Sequence, residues 1–219
     1  MTEERMNIAE KIDHTNLKTD CTQEQIEQLC KEAKEHGFAA VCVPPYFVVS
    51  AGRFLKDTNV KIATVIGYPL GFAGTFAKVE EIKRAIDEGV DELDVVINIA
   101  AVKDKNWNYI SSDIDSCVSA AHMRGKIIKI ILETSLLTEE EVIKMCEICT
   151  ERQVDYVKTS TGKAGGATLK AVELLRKHLP AHIKIKASGG IRDRQRATRM
   201  IEVGADRLGS SSGVAIVTA

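Results

Sequence analysis

Gly89-Val90-Asp91-Glu92-Leu93-Asp94-Val95-Val96-Ile97 is the stretch on which the fold turns. A helical pattern over 75–88 precedes it, Gly89 gives a C-terminal cap signal, and a short apolar strand follows. The same unit recurs along the chain. A helix over 22–36 leads through Gly37 to a strand at 39–43, and one over 110–124 leads through Gly125 to 127–132. The capping box Thr138-Glu139-Glu140-Glu141 opens a helix that leads to 155–158. A helix over 168–178 precedes 183–186, and the last full unit ends at Gly204 before 206–209. With 12–14 and 61–65 added, eight strands begin near residues 12, 39, 61, 92, 127, 155, 183 and 206. This predicts an α/β chain folded as one (β/α)8 TIM barrel domain over residues 1–219. An open doubly wound sheet of five or six parallel strands is the structural alternative.

Composition narrows the function. The 219 residues are 44% hydrophobic and 28% charged, with a formal net charge of −1 and no basic block. Nucleic acid is therefore not expected as a partner, because phosphate neutralisation needs clustered Lys and Arg. Met1-Thr2-Glu3-Glu4-Arg5 is polar, and no apolar run approaches the roughly 20 residues that span a bilayer. A cytoplasmic location with no membrane partner is expected. In that setting the six scattered cysteines are expected as reduced thiols. Cys146-Glu147-Ile148-Cys149 has CxxC spacing, but it lies in a helical pattern without a second pair and reads as a packed helix face.

Strand alternation then picks out an inward set. Leu93 and Val95 face the helices, so Asp94 faces the barrel axis. Lys129 stands alone among isoleucines, Lys184 and Lys186 alternate with Ile183 and Ile185, and Lys158 closes Tyr156-Val157-Lys158. Asp13 in the first strand adds a carboxylate. One lysine at a strand end would read as a solvated side chain. Asp94, Lys129, Lys158 and Lys186 in successive strands need mutual compensation, since an unpaired buried charge costs on the order of several kcal/mol. Such sets mark functional sites. An ordinary lysine is protonated at neutral pH, whereas desolvation and neighbouring cations lower its pKa and free the amine for Schiff-base chemistry. The pattern leaves open whether Lys158 or Lys186 is the nucleophile.

Three glycine- and hydroxyl-rich loops follow the last three strands: Thr161 to Thr168, Ser188-Gly189-Gly190-Ile191-Arg192, and Gly209-Ser210-Ser211-Ser212-Gly213. Converging backbone N–H groups there suit a phosphate. The first loop is neither a Walker A motif nor GxGxxG. The five histidines are dispersed, with no HExxH, so no metal and no cofactor is expected.

Asp13-His14-Thr15, the stretch 63–71, Glu92 to Asn98, Lys129 to Thr134, Lys158-Thr159-Ser160-Thr161-Gly162-Lys163 and Lys186-Ala187-Ser188-Gly189-Gly190-Ile191-Arg192 together give the chain a recognisable character. It resembles the deoxyribose-phosphate aldolase family along nearly its whole length. The resemblance implies a metal-independent class I lyase that reversibly cleaves 2-deoxy-D-ribose 5-phosphate to D-glyceraldehyde 3-phosphate and acetaldehyde. It implies Lys158 as the Schiff-base lysine, Lys186 as the residue lowering its pKa, Asp94 as the proton-transfer carboxylate, and Lys129 and Asp13 as their support. It implies phosphate contacts at Gly162, Lys163, Gly189, Gly190, Arg192, Gly209, Ser211 and Ser212, small phosphosugar and aldehyde partners, and a homodimer or homotetramer. Two departures stand out: Pro44 where family members commonly carry Asn, and a chain end at Ala219 where some carry a longer tail ending in tyrosine that assists proton transfer. Enamine protonation is then expected to rest on Asp94 and water. The competing readings are a transaldolase-like Schiff-base enzyme and a non-catalytic phosphosugar-binding barrel.

Overall fold

Each of the eight apolar segments forms a parallel strand, and in the computed structural model they close in chain order into one barrel, β1 pairing with both β2 and β8. The structure describes residues 7–219, so the polar start Met1 to Arg5 lies outside the described residues. The strands are β1 Ile12–Thr15, β2 Ala40–Val43, β3 Lys61–Ile66, β4 Glu92–Val96, β5 Ile127–Ile131, β6 Tyr156–Lys158, β7 Lys184–Ser188 and β8 Arg207–Ser210. The helices are α1 Gln23–His36, α2 Val48–Phe54, α3 Thr75–Asp87, α4 Ile99–Lys103, α5 Trp107–His122, α6 Glu139–Glu151, α7 Leu169–His178, α8 Arg194–Glu202 and α9 Gly213–Thr218. Closure in this order excludes the open doubly wound sheet. The short helices α2, α4 and α9 were not anticipated, because each is less than two turns and carries little periodic signal.

Local chemistry sets the boundaries. Thr22 and Thr138 each make a full capping box, at the starts of α1 and α6. Gly37 ends α1 in the left-handed conformation, at φ 65°. Outward strand residues such as Ile128, Ile130, Val157 and Ile185 pack under the helices in one continuous core. Cys146 and Cys149 sit on the buried face of α6, and burial pushes the Cys146 thiol up to about 12. All six cysteines are unpaired. Outside the barrel, the Lys78 ammonium donates to Asp113 at 2.7 Å and ties α3 to α5, an interior ion pair that neither helix pattern announces.

Candidate active site

The pleat of each strand puts alternate side chains on the axis, and register fixes their heights. Asp94 lies beside Lys129, and Lys158 beside Lys186. The four side chains meet. Lys129 donates to Asp94 Oδ1 at 2.7 Å, while Lys158 and Lys186 each donate to Asp94 Oδ2 at 2.7 Å. Lys186 also contacts Asp13 Oδ2, and Lys129 pairs with Glu92 Oε2 at 2.7 Å. Arg207 closes the set from β8, donating to Asp13 Oδ1 at 2.6 Å. Glu92 and Arg207 were not singled out from the sequence, although the alternation that turns Asp94 inward also turns Glu92. Lys184 shares the face of Lys186, but it lies at the start of β7 where it stays exposed, its Nζ 5.6 Å from the Tyr156 ring centroid.

Electrostatics separates the lysines. Three carboxylates (Asp13, Glu92, Asp94) face four cationic groups (Lys129, Lys158, Lys186, Arg207), so the set balances when one amine gives up its proton. Burial and the neighbouring Lys186 charge push Lys158 down, against the opposing pull of Asp94. Burial also opposes the charge on Lys186, yet Asp13 and Asp94 outweigh it and hold Lys186 above the ordinary lysine range. Lys129 moves up as well, because Asp94 and Glu92 outweigh its desolvation. Burial alone would raise Asp94, and the three ammoniums instead hold it well below the usual carboxylate range. Lys129 therefore bears on Asp94 rather than directly on Lys158.

Lys158 is also the lysine of this set that opens onto space. It lines a cavity of about 630 Å³, with Thr161, Gly162, Lys163, Ser188, Gly189, Gly190, Arg192, Gly209 and Ser211 on the same wall. Ser212 follows Ser211 at the start of α9, where its backbone N–H donates to Ser210 Oγ at 2.9 Å. Lys163 and Arg192 are exposed at the rim. The loops are held tightly together. Ser188 N donates to Thr159 Oγ1 at 3.1 Å, and Ser188 Oγ donates to the Ser160 carbonyl at 2.6 Å. Two glycines are required by space, and Gly189 by its backbone conformation as well. Gly189 has φ +89°, and a Cβ there would lie 2.8 Å from Gly166 Cα. A Cβ at Gly209 would lie 3.2 Å from Lys186 Cε, so this glycine makes room for the inward lysine.

Two further residues shape the site without a sequence signal of their own. Glu133, at φ 54°, turns its buried carboxylate onto Thr161, accepting from both the backbone N–H and the hydroxyl. Tyr68 donates its hydroxyl to the Thr161 carbonyl at 3.1 Å and lines the same cavity. Among the described residues no group of three or more His, Cys, Asp and Glu side chains is arranged to hold a metal ion.

The profile of the DeoC/LacD family of aldolases matches residues 8–218. The chain belongs to this family. Deoxyribose-phosphate aldolase of Thermococcus kodakarensis is 52% identical over 216 residues, covering 97% of this chain and 96% of its own. That of Desulfitobacterium hafniense is 51% identical over 214 residues, covering 97% and 98%. The tetrameric deoxyribose phosphate aldolase of Aeropyrum pernix superposes with a TM-score of 0.90 at 30% identity, covering 96% of this chain and 89% of that one. The family's (β/α)8 aldolase architecture is thus shared from end to end.

Proposed function

We propose that the protein is a class I lyase that reversibly cleaves 2-deoxy-D-ribose 5-phosphate through a Schiff base on Lys158. The observation that carries this reading is that one inward amine, depressed by burial and a neighbouring charge, opens on a cavity that three glycine- and hydroxyl-rich loops also line. The Lys158 amine attacks the C1 aldehyde carbon and water leaves, giving a protonated imine. Loss of the C3 hydroxyl proton and breakage of the C2–C3 bond push an electron pair into the imine. Glyceraldehyde 3-phosphate departs, and a Lys158 enamine remains. Protonation at C2 and addition of water release acetaldehyde and the free amine.

The surrounding residues take distinct parts in this scheme. Lys186 stays charged, so it favours the neutral Lys158 and stabilises negative charge that develops on oxygen. Asp94 aligns the amine and holds the water that shuttles protons. Lys129, Asp13, Glu92 and Arg207 fix Asp94 and Lys186 in place. Lys163, Arg192 and the N–H groups of Gly162, Gly189, Gly190, Gly209 and Ser211 take the phosphate. We further propose a homodimer or homotetramer. Exposed Tyr46, Val49, Leu70, Phe72 and Phe76, all contributed by the segments after β2 and β3, support self-association. The six unpaired cysteines support a reducing, cytoplasmic setting.

Borohydride reduction in the presence of acetaldehyde, followed by peptide mass mapping, tests the assignment. A stable two-carbon adduct on Lys158 is expected. An adduct on Lys186 alone, or on no lysine, would refute it.

A further inference from the structure

The inner wall of the barrel changes character between β8 and β4. From β4 round to β8 and β1 it is charged, but on β2 and β3 the inward residues are Cys42, Ala63 and Val65, with Leu17 and Tyr68 packed over them. This apolar wall lies across the barrel from β6 to β8 and the glycine-rich loops that follow them. Adjoining it is a second cavity of about 770 Å³, lined by Val65, Phe47, Pro44, Pro45, Cys21 and Ala85, with Glu81, Arg84 and Glu88 also on its lining. Four residues border both cavities: Leu17, Lys18, Tyr68 and Lys163. Of these, Tyr68 alone has its side chain tied down on the active-site side, by its bond to the Thr161 carbonyl. Thr161 is itself clamped by buried Glu133.

We propose that Tyr68 is a specificity-determining residue: its ring closes the aldehyde end of the active site against the second cavity and confines the carbonyl donor to two carbons. The inference rests on the aldolase reading. A sugar phosphate linked to Lys158 at C1 runs from the amine toward the phosphate loops, so a longer donor chain must leave on the opposite side. That side is the apolar wall, and Tyr68 stands across the way out. Burial pushes its phenol up to about 12, so the hydroxyl stays protonated and keeps donating to Thr161 throughout the neutral range. With the ring shortened, the second cavity becomes the binding site for the alkyl chain of a longer aliphatic aldehyde.

The test compares kcat/KM for hexanal and for acetaldehyde as donors to glyceraldehyde 3-phosphate, in the wild type and in Tyr68→Ala. Discrimination by a methylene-sized difference in an apolar pocket is roughly tenfold or more, so the hexanal-to-acetaldehyde ratio is expected to rise by about that factor. Tyr68→Leu, which keeps an apolar side chain in the wall, is expected to give a smaller rise. Cys21 is the one cysteine of the six that is not buried, and it lines the second cavity. Alkylating it with N-ethylmaleimide in Tyr68→Ala is expected to remove the hexanal gain and leave acetaldehyde turnover in place. An unchanged ratio in both variants would overturn the proposal, as would a gain that survives alkylation. Absence of an acetaldehyde adduct on wild-type Lys158 would instead overturn the aldolase reading, and the gate with it.

Discussion

The two sides of the barrel interior solve opposite problems with the same backbone. On β2 and β3 the inward positions are small or apolar, and Cys42, Ala63 and Val65 bury without needing partners. On β4 to β8 and β1 the inward positions hold seven ionisable groups. Four of these, Lys129, Lys186, Asp13 and Asp94, have no exposure at all. Packing energy holds the first side. The second side costs desolvation free energy that only mutual pairing offsets. The difference supports placing the chemistry at Lys158, the member of the charged set that reaches the cavity.

The comparison breaks most sharply at Lys158. Lys158→Arg keeps a long basic side chain but puts a permanently charged guanidinium in place of the nucleophilic amine, so cleavage is expected to fall roughly a thousandfold or more while the barrel's circular dichroism persists. Cleavage at the wild-type rate would place the nucleophile elsewhere. Asp94→Asn is expected to lower kcat by about a hundredfold or more, through lost proton transfer and amine alignment. An effect confined to KM would show that Asp94 only shapes the pocket. Lys186→Met removes the ammonium that depresses Lys158. The folded-state pKa of Lys158 then rises, less of it is neutral at pH 7, and the acidic limb of the kcat/KM profile moves to higher pH. A limb that stays put or moves down would break the link between the two lysines. Lys163→Ala removes a charge-assisted phosphate contact at the rim, which is expected to raise KM about tenfold with kcat nearly intact. The same variant should act on unphosphorylated deoxyribose as the wild type does. Lys184→Ala is the smallest effect, within about 0.5 kcal/mol of wild-type stability and without change in turnover.

Lys184 and Lys186 also show how far the sequence could be read. Both alternate with isoleucines in one strand, and periodicity alone assigns them the same face. Which of them enters the barrel depends on strand register against β6 and β8, a property of neighbours distant in the chain. Asp94, Lys129 and Lys158 were legible because each stands among apolar residues that fix its face. Glu92 was not, because it opens its strand, where alternation is weakest, and Arg207 was masked because its four-residue strand has Leu208 as its one apolar residue. The candidate phosphate loops were visible as glycine and serine runs, and the structure adds that Ser211 lies on the cavity wall while the Ser212 N–H donates to Ser210 Oγ. Tyr68 and Glu133 lay inside recognisable segments, but their joint hold on Thr161 spans three loops and leaves no pattern in any one of them.

The central claim is that this environment holds the Lys158 amine below the ordinary lysine range. The most direct measurement is the pH dependence of reductive trapping at Lys158, followed by mass mapping of that peptide between pH 5 and pH 11, across the ordinary lysine pKa of about 10.4. The account predicts that trapping rises through a midpoint below the ordinary lysine value, and that the midpoint moves up in Lys186→Met. A Lys158 midpoint at or above about 10.4 would contradict it.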